Sequence, residues 1–265
     1  MDKKYILILL SILLISTNYK RSEDFQITDL HVHLKGNFKI EDAVRKSAAE
    51  NVRYGIAFNC GLNFPVHQDS QVDSVLMILK DYPQFFIAMQ AEGREWVNIF
   101  SKEAIEKFDY VFTDAMTFTD EKGRRNRIWI KEETWIDDEQ AFMNYLVKTI
   151  VKILNEEPVD IYVNPTFLPE QMADRYDKFW TEERMDRVIS AAKANNIAIE
   201  INNRYKIPSI DFISRAKKAG VKFTVGTNNI DGNFTEDYAI EMIKKCKLTS
   251  RDFFQPVKKR QDGQL

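Results

Sequence analysis

Apolar, β-branched runs alternate with amphipathic stretches along most of the chain, and this alternation constrains the fold more than any other feature. Strands are predicted at Ile27–His31, Tyr54–Phe58, Phe85–Gln90, Asp109–Thr113, Val159–Val163, Ile197–Ile201 and Lys222–Val225. Between them, helical spacing of apolar residues predicts helices over Ile40–Asn51, Val72–Leu79, Asp138–Asn155, Thr181–Asn195, Ser209–Ala219 and Thr235–Cys246, with a short one near 101–107. Strict alternation requires parallel strands joined by helical crossovers, so the fold class is α/β, either a barrel or a doubly wound sheet. With 44% hydrophobic residues among 265, a sizeable core can form. Nothing in the pattern reads as an internal linker, so residues 23–265 are expected to make one domain.

The first 22 residues stand apart. Lys3 and Lys4 precede an apolar run from Tyr5 to Ile15 broken only by Ser11. That length suits a signal peptide and is short for a bilayer span of about 20 residues. The expectation is export, to the periplasm or beyond, or anchoring by an uncleaved leader, which would be the chain's membrane contact. Net charge is −2, from 38 basic and 40 acidic residues, which argues against nucleic-acid binding by bulk charge. Cys60 and Cys246 are too few for a disulfide scaffold or a Cys-based zinc site; one bridge between them is allowed but not indicated. No Gly-x-Gly-x-x-Gly or P-loop follows a strand, which disfavours dinucleotide and nucleoside triphosphate sites.

Ligands of parallel α/β folds bind beyond the carboxyl ends of the strands. Polar residues crowd that end here: His31 and His33, Asn59 and Cys60, Gln90, Glu92 and Arg94, Asp114, Asn164, Glu200, Asn202, Asn203 and Arg204, then Thr227, Asn228 and Asn229. His31 and His33 are the sharpest signal. Strand alternation sends residues two apart to the same side, so both imidazoles can face one metal ion; two histidines sharing hydrogen bonds in a barrel mouth is the simpler alternative. The Asn residues can bind a sugar or phosphate, or equally cap turns in left-handed conformations. Arg94 can face the rim or pair with Glu92 or Asp114. Arg124, Arg125 and Arg127 are either anion-binding or a solvated loop, Arg204 is a further anion-binding candidate, and Cys60 reads as a buried, inert thiol. Trp96, Trp129, Trp135 and Trp180 can offer a sugar platform or serve packing.

Asp29-Leu30-His31-Val32-His33 resembles the opening Asp-x-His-x-His of the PHP (polymerase and histidinol phosphatase) superfamily and of amidohydrolase-like enzymes, and Glu92 matches the PHP family's metal-bridging Glu. The resemblance implies a distorted seven-stranded (β/α)7 TIM-like barrel. The chain departs from the pattern where Asn59-Cys60 replaces Asp-His, Asp114 stands near a histidine position, Asn164-Pro165 replaces His-Pro, and Gly226-Thr227-Asn228-Asn229 replaces Gly-Ser-Asp-x. It looks like a divergent branch of these hydrolases.

The expected function is a metal-dependent hydrolase, of phosphoesterase or amidohydrolase type, acting through a metal-activated water on a small anionic substrate, a phosphoester first. One divalent ion (Mn, Zn, Fe or Mg) is expected on His31, His33, Glu92 and Asp114. Glu92 and Asp114 are the expected catalytic groups. Arg94, Asn59, Asn164, Glu200, Asn202, Asn228 and Asn229 are the expected substrate contacts. The alternative is a catalytically degenerate barrel that binds a small polar ligand such as a carbohydrate.

Overall fold

Residues 26–259 are described by a computed structural model of the chain. Nine strands are found among them: β1 (Thr28–Val32), β2 (Arg53–Gly61), β3 (Phe86–Glu92), β4 (Tyr110–Thr113), β5 (Thr117–Thr119), β6 (Arg125–Arg127), β7 (Ile161–Tyr162), β8 (Ala198–Asn202) and β9 (Phe223–Gly226). Seven of these, in the order β1-β2-β3-β4-β7-β8-β9, close into a barrel in which every pairing is parallel. β9 returns to β1 through Asp29 opposite Val225. The fold is a seven-stranded TIM-like barrel, as the alternation and the family resemblance imply. The leader read in residues 1–22 lies outside the described residues. Among the described residues no helix is long and apolar enough to cross a membrane.

Helices α1 (Ile40–Glu50), α2 (Val72–Ile78), α3 (Lys102–Ile105), α4 (Glu139–Glu156), α5 (Glu170–Ala173), α6 (Tyr176–Phe179), α7 (Glu182–Ala194) and α8 (Ile210–Ala219) lie in the crossovers, and α9 (Asp237–Lys245) follows β9. Thr181, whose Thr-Glu-Glu start reads as an N-cap with an acidic first turn, caps α7 by accepting from Arg184 N–H, and Asp138 and Ser209, which the periodicity places inside helices, are likewise N-caps, accepting from the Ala141 and Phe212 N–H groups. Capping satisfies a donor that the first turn leaves open. Gly220 closes α8 with φ of 76°, a left-handed position that suits glycine. α4 buries Phe142, Met143, Leu146, Val147, Ile150, Ile153 and Leu154 on one face, each worth about 1.5–3 kcal/mol of transfer free energy.

The inward positions change character along each strand. Ala57 is followed two residues on by Asn59, Ala88 by Gln90 and then Glu92, Phe112 by Asp114, and Ala198 by Glu200 and then Asn202. The apolar members join Leu30, Phe86, Tyr110, Ile161 and Val163 in a cluster distinct from the two larger clusters that contain the helix residues. The barrel is therefore plugged by apolar side chains toward the strand starts and polar toward the strand ends. Tyr110 helps build the plug: its hydroxyl donates to the Leu30 carbonyl at 2.6 Å, and a Cβ at position 55 would fall 1.9 Å from that hydroxyl, so Gly55 makes room for it.

β1 carries a bulge that matters for the site. Asp29 lies opposite Tyr54 but Val32 lies opposite Ile56, so three steps on β1 face two on β2. Neighbours Leu30 and His31 can thus both face inward. Leu30 packs in the interior cluster, and the His31 ring lies 4.5 Å, centroid to centroid, from Phe112 of that cluster. Asp29 shares the register of Tyr54, whose ring packs in an outer cluster.

Candidate active site

His31 and His33 come together at the strand ends as their spacing predicts. Their ring centroids are 5.1 Å apart and roughly perpendicular, at 71°. Both residues are buried. His31 Nδ1 lies 2.7 Å from Glu200 Oε1, and His33 Nδ1 lies 3.2 Å from the Ala57 carbonyl. The Ala57 carbonyl only accepts, so the His33 Nδ1 donates to it, and the His31 ring is held through its Nδ1 by Glu200. Neither Nε2 has a hydrogen-bond partner, although both are buried. Burial, and next the charge of His31, hold the pKa of His33 well below the usual histidine value, which keeps its ring neutral. Asn229 fixes the strand beneath, accepting from His33 N at 2.6 Å and donating to His33 O at 2.9 Å.

Glu200 is fully buried and acts on His31 rather than facing a ligand. Its Oε2 accepts from Asn164 N at 2.7 Å and Asn202 Nδ2 at 2.9 Å. Asn164 is the hub of the amides. Its Oδ1 accepts from Asn202 Nδ2 and Asn228 Nδ2, each at 3.0 Å, and its Nδ2 donates to Asp114 Oδ2 at 2.9 Å. Asn164 and Asn228 have φ of 48° and 45°, so the left-handed turn, one of the two uses read for asparagine at the strand ends, is realised at Asn228 and also at Asn164. The amide groups are spent largely on one another.

Glu92 Oε1 accepts from Asn59 Nδ2 at 2.6 Å and Gln90 Nε2 at 2.9 Å. Burial first, and the charge of Asp114 second, push its pKa up to about 8, so it holds a proton at neutral pH. Asp114 is also raised, chiefly by burial, and its Oδ1 accepts from Met116 N at 2.9 Å. Among the described residues, no group of three or more His, Cys, Asp or Glu side chains is arranged to hold a metal ion. The structure joins the two histidines; it does not join Glu92 and Asp114 to them as one ligand set.

Arg94 corrects its expected place. Gly93 turns with φ of 75°, and Arg94 then reaches Glu157 Oε1 at 2.8 Å and Thr113 Oγ1 at 2.7 Å, not Glu92 or Asp114. Arg124, Arg125 and Arg127 are neither a bare loop nor an anion site. Arg125–Arg127 form β6, paired with β5, and the three arginines meet Asp120 and Asp137, Glu95, and Glu133 respectively. Cys60 and Cys246 are buried free thiols, and burial pushes the Cys60 pKa upward. Trp96 and Trp180 are buried, whereas Trp129 and Trp135 are exposed beneath the guanidinium groups of Arg127 and Arg124.

Two groups of consequence escape the sequence reading. Asp29, the first residue of the Asp-x-His-x-His string, staples β1 to the segment after β9: Oδ1 accepts from His31 N and Thr227 N, and Oδ2 from Thr227 Oγ1 at 2.6 Å. Glu236 is the other, a buried acid whose Oε1 has no partner and whose pKa is pushed up to about 8 by burial, then by Asp29 and Glu50. The folded chain keeps that proton between the ordinary value of 4.5 and about 8 while the unfolded chain releases it. Stability therefore falls as pH rises through this window. Glu236→Gln cannot ionise and should match the wild type near pH 4 yet exceed it at pH 8–9 by on the order of 2 kcal/mol in urea unfolding. Equal pH profiles for the two proteins would show that Glu236 carries no raised pKa.

No family model matches the chain, and no curated protein sequence matches it. Among solved structures it is similar to histidinol phosphate phosphatase from Lactococcus lactis subsp. lactis, complexed with zinc, L-histidinol and phosphate. Identity is 14%, the alignment covers 84% of this chain and 95% of that one, and the TM-score is 0.57. The likeness is one of fold. An HpcH/HpaI aldolase from Desulfitobacterium hafniense is more distant, at 11% identity over 84% of this chain and 93% of that one, with a TM-score of 0.40.

Proposed function

We propose that the chain is a hydrolase acting on a small anionic substrate, a phosphoester in the first place, with one divalent ion bound by His31 and His33. The observation that carries this reading is the pair of buried Nε2 atoms of His31 and His33, neither with a hydrogen-bond partner, each ring held through its Nδ1 by an oxygen atom. Imidazole ligands of metals are oriented in this way, and a catalytic ion keeps positions open for water. The donor set fits one ion with few protein ligands. When bound, such an ion would lower the pKa of a coordinated water toward neutrality. Glu200 holds the His31 ring, Asn229 holds the backbone of His33, and Glu92, stabilised through Oε1 by Asn59 and Gln90, can give a proton to a leaving oxygen. Asp114 is the candidate base. The zinc- and phosphate-bearing phosphatase shares this fold, which is compatible with the reading. Export remains part of the proposal, resting on the leader pattern alone.

A ligand-binding barrel without turnover is favoured by one specific observation: among the described residues no third His, Cys, Asp or Glu joins the two histidines as a ligand set. Metal analysis separates the two. The purified protein, dialysed against zinc or manganese, should hold close to one ion per chain and hydrolyse p-nitrophenyl phosphate. The double variant His31→Ala/His33→Ala should lose both while keeping its circular dichroism. A wild type that takes up no metal and cleaves no ester would leave the binding barrel as the description.

A further inference from the structure

We infer that the end of the barrel opposite the histidine pair docks on a bilayer bearing anionic phospholipid headgroups, through a basic cluster beside the point where the chain enters the fold. This is independent of the hydrolase reading, and it extends membrane contact from the leader to the folded domain. The cluster is Lys193, Lys217, Lys218, Lys222, Lys247 and Arg251. Hydrogen bonds draw these residues together. Lys193 Nζ donates to the Gly220 carbonyl at 3.1 Å, and Gly220 stands two residues from both Lys218 and Lys222. Lys217 Nζ donates to the carbonyls of Cys246 and Lys247, at 3.0 and 2.6 Å, and Lys222 Nζ donates to that of Arg251. All six lie at the ends of α7, α8 and α9 or just beyond them, around the start of β9, so they share the strand-start end of the barrel. All but Lys217 are exposed.

Composition does not account for the cluster, since the whole chain carries a net charge of −2. Across 191–196, 216–222 and 244–252 the sole acid is Asp252, and its carboxylate accepts from Thr249 N and Thr249 Oγ1 at 2.7 and 3.0 Å. The ion pairs of these helices lie elsewhere: Arg215 with Glu182, Asp186 and Asp211, and Lys245 with Glu241. Among the described residues, none of the six has a carboxylate within ion-pair distance. Lysines near helix C-termini also complement the helix dipole. That role alone would distribute them over all the long helices, yet α1 and α4 have no basic residue in the last turn. The charge is concentrated on one sector of the barrel.

The chain enters the fold at that sector, and this selects the partner. Gln26 Nε2 donates to Asn51 Oδ1 at 2.9 Å and the Ile27 carbonyl accepts from Arg53 N at 2.9 Å, so the first described residues lie at the strand-start end. β1 pairs with β9 there, Asp29 opposite Val225, which brings Ile27 level with Phe223, next to Lys222. Only residues 16–25 separate the apolar run Tyr5–Ile15 from Gln26, a reach of about 35 Å when fully extended. A leader held in a bilayer therefore keeps this end close to the headgroups, where each Lys or Arg adds an attraction that fades within a Debye length. The tail supplies an apolar contact on the same face. Phe254 N donates to the Phe223 carbonyl at 2.9 Å and Lys259 N to Asp109 Oδ1 at 2.7 Å, and between these ties Val257 is 76% exposed. Buried apolar area and charge attraction together set the strength of surface binding to lipid. Docked this way, the barrel holds His31 and His33 at its far, aqueous end.

The full chain on lipid vesicles tests the docking. Cys60 and Cys246 are buried, so Val257→Cys offers one accessible thiol for a polarity-sensitive dye. On vesicles of phosphatidylcholine mixed with phosphatidylglycerol the dye emission should shift to the blue, and high salt should reverse the shift. On phosphatidylcholine alone, where only the leader can hold the chain, the dye should stay in water. A dye at Ile230→Cys, a position 60% exposed just after Asn229 at the other end, should stay in water on both. Lys218→Gln/Lys247→Gln/Arg251→Gln in the Val257→Cys chain should abolish the shift, because about fivefold for each charge amounts to about a hundredfold. Lys102→Gln/Lys122→Gln/Lys148→Gln, which removes equal charge from exposed sites on α3, the β5–β6 turn and α4, should retain it. Both triple variants should keep the wild-type unfolding midpoint. Docking is overturned by a Val257→Cys dye that stays in water on the anionic vesicles, by a full shift in the cluster variant, or by equal loss in both variants. A shift at Ile230→Cys overturns the orientation. Cluster-dependent binding of heparin without binding to anionic vesicles overturns the bilayer in favour of a soluble polyanion. None of these readouts involves ester cleavage, so failure of the hydrolase reading leaves the docking standing, and the reverse holds too.

Discussion

Gly226→Ala is expected to destabilise the barrel by about 2–4 kcal/mol and to separate His31 from Glu200. A Cβ at position 226 would stand 1.8 Å from Glu200 Oε1, 2.7 Å from its Cδ and 2.9 Å from the Cβ of His31. No side chain tolerates such contacts, so something must move. Glu200 is fully buried and cannot simply step aside, because its two oxygens serve His31 Nδ1, Asn164 N and Asn202 Nδ2. Each buried donor left unpaired costs about 1–3 kcal/mol. Gly123→Ala is the control. That glycine, unlike Gly226, has positive φ, 77°, but nothing lies within 4 Å of its added Cβ, so its cost should stay near about 1 kcal/mol, from backbone strain alone. Urea unfolding of both variants measures the difference. If Gly226→Ala unfolds at the wild-type midpoint, Glu200 is not packed against the β9 backbone as described.

The contrast between these two glycines shows what the amino-acid pattern can and cannot reveal. Alternation of strand and helix is set by side-chain periodicity, which is local, and it identifies the seven barrel strands. The same periodicity brings His31 and His33 to one side, because residues two apart share a face. It is silent on Asp29, since the bulge that inserts a residue between Asp29 and Val32 leaves no trace in the polarity pattern. Arg94 fails for a related reason. Strand alternation ends at Glu92, and the left-handed turn at Gly93 sends the guanidinium to Glu157, a partner 63 residues away. The hairpin β5–β6 is legible in retrospect from Thr117-Phe118-Thr119 and Arg125-Asn126-Arg127 flanking the turn at Gly123. The amide hub is not legible at all. The asparagines are visible at the strand ends, but which of them bond each other depends on the closure of the barrel, which brings Asn164 to Asn228.

Loss of that hub is expected to be the larger injury. Asn164→Ala removes two acceptor contacts and one donor contact at once. Asn202 retains Glu200 as an acceptor, so its loss is partial. Asn228 Nδ2 and Asp114 Oδ2 have no such second partner in the hydrogen bonds described here, and both residues are buried. At about 1–3 kcal/mol for each of the two groups left unpaired, the hub contributes about 2–6 kcal/mol. Alanine adds about 1 kcal/mol because position 164 has φ of 48°. Asn164→Gly separates the two contributions: glycine accepts the left-handed backbone yet forfeits the same three side-chain contacts. The glycine variant should thus lie about 1 kcal/mol above the alanine variant and still well below the wild type. The loosened amides should also free Asp114 and the 202–203 segment, raising hydrogen exchange at Met116 and Tyr205, whose N–H groups donate to Asp114 and Asn202. A glycine variant as stable as the wild type would mean that the amides are individually solvated and that Asn164 serves only its turn.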